Sequence, residues 1–144
     1  MILTENHSNL TNMVLMVSHN LREAICNRSS LDWSLTSHES LCGFSGESFR
    51  HFMNNMGRIP DLNYLEVGSY CGSTLFSFLF NNLDNINKAY AVDNWSQFND
   101  VGDPKSSFFK NRDLFFPNGI DQLEVIEHDC FTLDLSKIKE KINF

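Results

Sequence analysis

Apolar positions along the chain follow two rhythms. Over 10–27, Leu10, Met13, Val14, Val17, Leu21 and Ile25 recur at helical spacing, which predicts an amphipathic helix. A second helix is expected after Ser45, read as its N-cap, with Phe44 and Phe49 placed as a hydrophobic staple. Its apolar face is Phe49, Phe52, Met53 and Met56, and Gly57 followed by Pro60 ends it. Residues 28–43 are Ser-rich and irregular, with Trp33 and Leu35 as anchors. Residues 1–9 are polar and expected to fray.

From residue 62 the rhythm shortens. Leu62, Tyr64, Leu65 and Val67 read as a buried strand, and from Ser73 the run Leu75, Phe76, Phe78, Leu79, Phe80 and Leu83 reads as a helix packed on a sheet. After a polar turn over 81–87, residues 88–93 form a second strand ending in Asp93. A polar loop over 96–103 leads to Asp103 and Pro104, a helix start with Asp as cap and Pro at the first helical position. That helix carries Phe108, Phe109, Arg112, Phe115 and Phe116 and stops at Pro117-Asn118-Gly119. Residues 123–127 are a third strand, 132–141 a short weak helix, and 142–144 the opening of a fourth strand. Alternating strand and helix predict an α/β fold: a Rossmann-like three-layer sandwich on a partial parallel sheet of three to four strands. Residues 1–57 are a helical lead-in, and 58–144 form the sheet-bearing region.

Composition narrows the partners. The chain has 144 residues, enough for one domain with a real core, and its 42% hydrophobic and 20% charged content describe an ordinary globular protein. Its 13 phenylalanines favour a large core. A net charge of −7 with no Lys/Arg-rich run argues against a nucleic-acid partner. No signal-peptide pattern or membrane-length apolar run appears, so a cytoplasmic location without a membrane partner is expected. Cys26, Cys42, Cys71 and Cys130 are scattered and read as free thiols.

The glycine turn between the first strand and its helix carries the candidate chemistry. A strand, a glycine turn and a helix make a ligand-binding corner at the carboxyl end of a parallel strand. A P-loop needs a Lys before the Ser/Thr, and Gly72-Ser73-Thr74 has none. A dinucleotide fingerprint wants Gly where Glu66 stands and a third Gly beyond Gly72; both are missing, which disfavours a nicotinamide-dependent oxidoreductase. What remains is acid-x-Gly-x-x-x-Gly, written here Glu66-Val67-Gly68-Ser69-Tyr70-Cys71-Gly72. Asp93 then falls about 20 residues beyond the turn, where doubly wound folds place an acid for ribose hydroxyls.

This pattern resembles the first motif of class I S-adenosylmethionine-dependent methyltransferases, and the likeness extends over 62–131. The resemblance implies S-adenosylmethionine as cofactor. It puts Glu66 at the methionine end, Gly68 and Gly72 in close backbone approach, Asp93 on the ribose and Asp129 on the adenine amino group. Ser69 and Tyr70 in the turn, Asn94 and Trp95 after the second acid, and Cys130 after Asp129 complete the expected cofactor-binding set; Trp95 suits an adenine face and ordinary core equally well. Cys71 borders the ligand with no assigned role.

The family's later strands, acidic motif and acceptor-binding elements have no counterpart here, so the catalytic residues are not identified. A small-molecule or sugar-like acceptor is expected, together with a homo-oligomer or a completing polypeptide, since a stub of a fourth strand leaves the first strand's outer edge unpaired. The other reading is a non-catalytic nucleoside-binding or interaction module on the same scaffold. Three further candidates are weaker. His128-Asp129-Cys130 lacks the spacing of a metal site, and no metal is expected. His19 and His51, without helical partners, read as surface histidines. Cys71 and Cys130 lack the nearby base a nucleophile needs.

Overall fold

The computed structural model describes residues 3–26, 28–31 and 40–144, with side chains from residue 12 onward, residue 101 excepted. Trp33 and Leu35 therefore lie outside the described residues. Among the described residues, two helices lead in, α1 (Leu3–Ile25) and α2 (Glu47–Met56). Then come β1 (Leu62–Val67), α3 (Ser73–Leu79), β2 (Ile86–Asp93), α4 (Pro104–Phe115) and β3 (Leu123–Glu127), the strands in order β1-β2-β3 and both pairs parallel. The fold is α/β. No described helix is long and apolar enough to cross a membrane.

Alternation along the strands divides the core in two. Leu62 and Tyr64 of β1 with Ala89 and Ala91 of β2 face the helices, where they meet Leu75, Phe78, Phe108 and Met56. Tyr90, Val92 and Ile126 face the other way. The three-layer expectation needs correcting here, because that second face carries no described helix. It is covered by Leu133, Ile138 and Ile142, and residues 132–141 contain only a 3-10 turn at Leu135–Lys137. The strand order gives the reason. Right-handed crossovers that step the same way along a sheet leave their helices on one face, and both crossovers here step the same way.

The lead-in differs in detail from its periodicity. α1 begins at Leu3, well before residue 10, and its contact face is Met16, Val17, Asn20 and Ala24. Met13, Val14, Leu21 and Ile25 are half or more exposed. Small Ala24, fully buried, and polar Asn20, donating toward Asn55 and Met56, carry the packing that a count of large apolar residues overlooks. Gly46, not Ser45, caps α2, and it does so without a side-chain bond. Phe44 makes no staple with Phe49; it stacks on Tyr70 instead. His51 is buried rather than on the surface: Ser29 Oγ lies 2.7 Å from Nδ1, Glu47 lies 3.9 Å from Nε2, and burial holds the ring's pKa below its usual value.

The expected fourth strand is present as one residue of pairing. Phe144 N–H donates to the Asn63 carbonyl and Leu65 N–H donates to the Phe144 carbonyl, the alternation of a parallel pair. Asn143 Oδ1 also accepts from Asn63 N–H. The outer edge of β1 is thus met at Asn63 and Leu65.

Asn54 is the buried joint between α2 and α3. Its amide donates to the carbonyls of Ser77 and Phe80, each at 2.8 Å, and its oxygen accepts from the Ser30 N–H and hydroxyl. Truncation strands several buried partners at once. Asn54→Ala should lower the unfolding free energy by about 2–4 kcal/mol, read in urea as a lower midpoint with an unchanged slope.

Candidate functional site

The strand ends are level. Register pairs Val67 with Val92 and Asp93 with Glu127, so the residues that follow each strand emerge at one edge. A cavity of about 500 Å³ lies there, lined by Val67, Gly68 and Tyr70 after β1, by residues 92–98 around the end of β2, by His128–Phe131 after β3, and by Phe44. A smaller cleft of about 250 Å³ adjoins it and adds Ser45, Glu66, Ser69, Ser73 and Thr74. Among the described residues, no Lys or Arg lines either one.

Asp93 builds this edge. One carboxylate oxygen accepts the Tyr70 N–H and the other the Trp95 N–H, both at 2.7 Å. Tyr70 (φ 49°) and Trp95 (φ 48°) both sit in the left-handed region, which non-glycine residues occupy only when bonds hold them there. A third bond closes the unit, from Trp95 Nε1 to the Tyr70 carbonyl at 2.8 Å. A carboxylate accepts about four hydrogen bonds, so each Asp93 oxygen keeps acceptor capacity toward the cavity.

The two glycines of the motif do different work. Gly68 has φ +81°, and a Cβ added to it would meet nothing within 4 Å, so its backbone is open to the cavity. Gly72 also has φ +81°, but a Cβ there would lie 2.2 Å from the Phe76 ring. It closes the turn through its N–H to the Ser69 carbonyl and lines neither cavity. The expected close approach of a ligand is available at Gly68, whereas at Gly72 the constraint is core packing.

Glu66 is unusual in charge. It is half-buried, accepts from the Tyr64 hydroxyl at 2.7 Å, and forms no ion pair among the described residues. Burial pushes its carboxyl up to about 7, opposed by the Tyr64 and Ser69 hydroxyls, with the nearby Asp93 charge adding a smaller rise. In the same cleft, Ser69 is buried, and its hydroxyl stands close enough to Glu66 to favour the ionised carboxylate as well. An acid with no ion pair among the described residues thus stands beside a buried hydroxyl.

The remaining candidates divide. Asp129 is exposed at the cavity edge, with Oδ1 capping the Phe131 N–H, and Cys130 beside it is exposed and lines the cavity. Asn94 lines the cavity while its side-chain oxygen accepts from the Ser96 N–H and hydroxyl. Trp95 is 7% exposed and packs edge-on to Phe108 at 5.5 Å, so it is mainly core beneath the cavity floor. Cys71 is buried and borders neither cavity.

Periodicity gave no sign of the aromatic wall. Phe44 stacks on Tyr70 at 4.8 Å, and Phe98 meets both rings edge-on at 5.4 and 6.0 Å. Phe131, 94% exposed, stands on the opposite rim. Fully buried Arg50 places Phe44, because its guanidinium donates to the carbonyls of Leu41 and Ser45, each at 3.0 Å. Phe44 and Phe98 come from a loop and a polar segment; their only sequence signal is a large aromatic where no element is expected. Among the described residues, no three His, Cys, Asp or Glu side chains converge as metal ligands.

Comparison of the chain with protein-family models, curated proteins and solved structures finds no match in any of the three.

A raised acid binds its proton more tightly in the folded than in the unfolded chain. Ionising Glu66 therefore costs stability, which falls as pH rises from its unfolded value near 4.5 through about 7 and levels off above. Glu66→Gln should flatten that part of the profile of melting temperature against pH. Tyr64→Phe, which removes the opposing hydrogen bond, should move the carboxyl's titration in carbon NMR to still higher pH.

Proposed function

We propose that this chain binds S-adenosylmethionine at the carboxyl edge of its sheet, as the cofactor-binding region of a methyltransferase acting on a small-molecule or sugar-like acceptor. The carrying observation is the pairing in one cleft of an acid with no ion pair among the described residues, Glu66, and a buried hydroxyl beside it, Ser69. An ammonium group satisfies both. Among the described residues, the cavities are lined by acids and by no Lys or Arg, an environment that favours a cationic ligand and repels a pyrophosphate.

Residue by residue, the chain fits such a ligand. Glu66 and the Ser69 hydroxyl would hold the amino-acid end. Gly68 offers bare backbone, the spare capacity on Asp93 suits a ribose diol, and Asp129 would accept from an adenine amino group. Phe44, Tyr70 and Phe98 give that edge an apolar wall that excludes water. When bound, the cofactor supplies an electrophilic methyl group on a sulfonium. The chain's own part is to fix its orientation and keep the site dry, the contributions that matter for an in-line displacement. A further strand from a second copy or another polypeptide would pair on the outer edge of β1 beyond Leu65, past the groups that Phe144 already meets.

Calorimetric titration tests the reading. S-adenosylmethionine should bind and NAD should not, and Glu66→Gln should weaken binding at least about tenfold without unfolding the chain. Because a cation prefers the ionised acid, affinity should rise with pH from 6 to 8, by up to about tenfold per unit below 7. A folded chain that binds no S-adenosylmethionine overturns the proposal. Binding without methyl transfer to any acceptor would assign the scaffold to a non-catalytic nucleoside-binding module.

A further inference from the structure

The segment that carries Phe44 is fastened to the glycine turn beside two thiols. Cys42 Sγ and Cys71 Sγ are 3.1 Å apart, Cys42 exposed and Cys71 buried. Both sulfurs are held by bonds that do not involve sulfur. On one side, Arg50 donates to the Leu41 and Ser45 carbonyls, and the Ser45 and Ser73 hydroxyls lie 2.8 Å apart. Gly43 lies against the same helix start so closely that an added Cβ would fall 2.0 Å from Ser73 Oγ. On the other side, Asn111 Nδ2 donates to the Cys71 carbonyl at 2.9 Å. The approach of the two thiols is therefore imposed by the surrounding fold.

We propose that Cys42 and Cys71 form a reversible disulfide site that locks the Phe44 segment onto the glycine turn. The oxidant is a small-molecule disulfide such as oxidised glutathione. Exposed Cys42, as thiolate, attacks one glutathione sulfur and expels the other glutathione as thiolate. Cys71 then attacks the Cys42 sulfur of the mixed disulfide and expels the second glutathione. One sulfur–sulfur bond is broken and one formed; the two cysteines are oxidised, the glutathione disulfide is reduced, and the two thiol protons end on the two released glutathiones. Burial, with Cys42 close by, holds the Cys71 thiol well above its usual range, so the second step quickens as pH rises.

The bond would change the cavity wall. Cys42 lies two residues before Phe44, and Cys71 directly follows Tyr70, so the disulfide would tether the Phe44–Tyr70 stack from beneath. Reduced chain can part that stack to admit a ligand, and oxidised chain cannot. The site is independent of what the cavity binds, and its first readout needs no ligand.

The test is oxidation of the full chain with oxidised glutathione, acid quench, alkylation and peptide mass mapping. The expected product links the Cys42 and Cys71 peptides, leaves exposed Cys26 and Cys130 to the alkylating agent, and reverts with dithiothreitol. The melting temperature should rise by roughly 10 °C on oxidation, and Cys42→Ser, at an exposed position, should abolish that rise. Exchange of the Tyr70 amide with solvent deuterium should slow in the oxidised form. A lasting glutathione adduct on Cys42, linkage through Cys26 or Cys130, or no reaction at all would each overturn the proposal.

Discussion

One carboxylate ties the site together. Asp93 ends β2 in register with its neighbours, and its two oxygens draw in backbone N–H groups from two loops, one following each of the first two strands. Each of those loops turns on a residue in the left-handed region, a conformation costing on the order of 1–2 kcal/mol for a side-chain-bearing residue. Charge-assisted hydrogen bonds offset that cost. The indole bond from Trp95 to Tyr70 makes the unit a closed loop rather than two separate caps. Parallel pairing makes this possible, since only there do consecutive strands deliver their ends to the same edge.

Electrostatics at that edge follow from where the basic residues go. Lys105 reaches across to Glu127 with both contacts at 2.6 Å, Lys88 pairs with Glu124, and Arg112 with Asp113. Arg50 is spent inside, on loop carbonyls. Among the described residues, Glu66, Asp93 and Asp129 form no ion pair, and two of them are close enough for Asp93 to raise the Glu66 carboxyl. A negative net charge spread over the surface would say little about ligands; concentrated at strand ends, it gives that edge a negative potential.

Strands and their ends were the legible part of this sequence. Short apolar runs punctuated by Gly, Asp and Asn mark β1, β2 and β3, and the Asp103-Pro104 start of α4 is a local signal: Asp103 Oδ1 accepts the Ser106 N–H at 3.0 Å. Acids at strand ends were legible for the same reason, because their position depends on chain distance and not on packing. What stayed hidden was non-local. The contact face of α1 depends on Ala24 and Asn20 meeting α2, and Phe44 reaches the cavity only because Arg50 bends its loop. The dual role of glycine was hidden too: Gly68 and Gly72 share a sign of φ, yet only a neighbouring ring shows which one the core requires.

The face that carries no described helix links the sheet's outer edge to the cavity. Leu133, Ile138 and Ile142 cross over Tyr90 and Val92, and the Tyr90 hydroxyl secures the crossing by donating to the Glu140 carboxylate and accepting the Lys139 N–H. That path brings Phe144 alongside β1, where its ring stacks with Phe78 at 5.4 Å and with Tyr64 at 5.7 Å. Tyr64 in turn stacks on Phe78 at 4.1 Å, so its ring is confined and its hydroxyl is aimed at Glu66. Phe144 on the outer edge of β1 therefore helps fix the orientation of the hydroxyl that tempers the half-buried acid in the cleft. Burial raises the Glu66 carboxyl, and a Tyr64 hydroxyl aimed by aromatic packing along the edge of β1 opposes that rise.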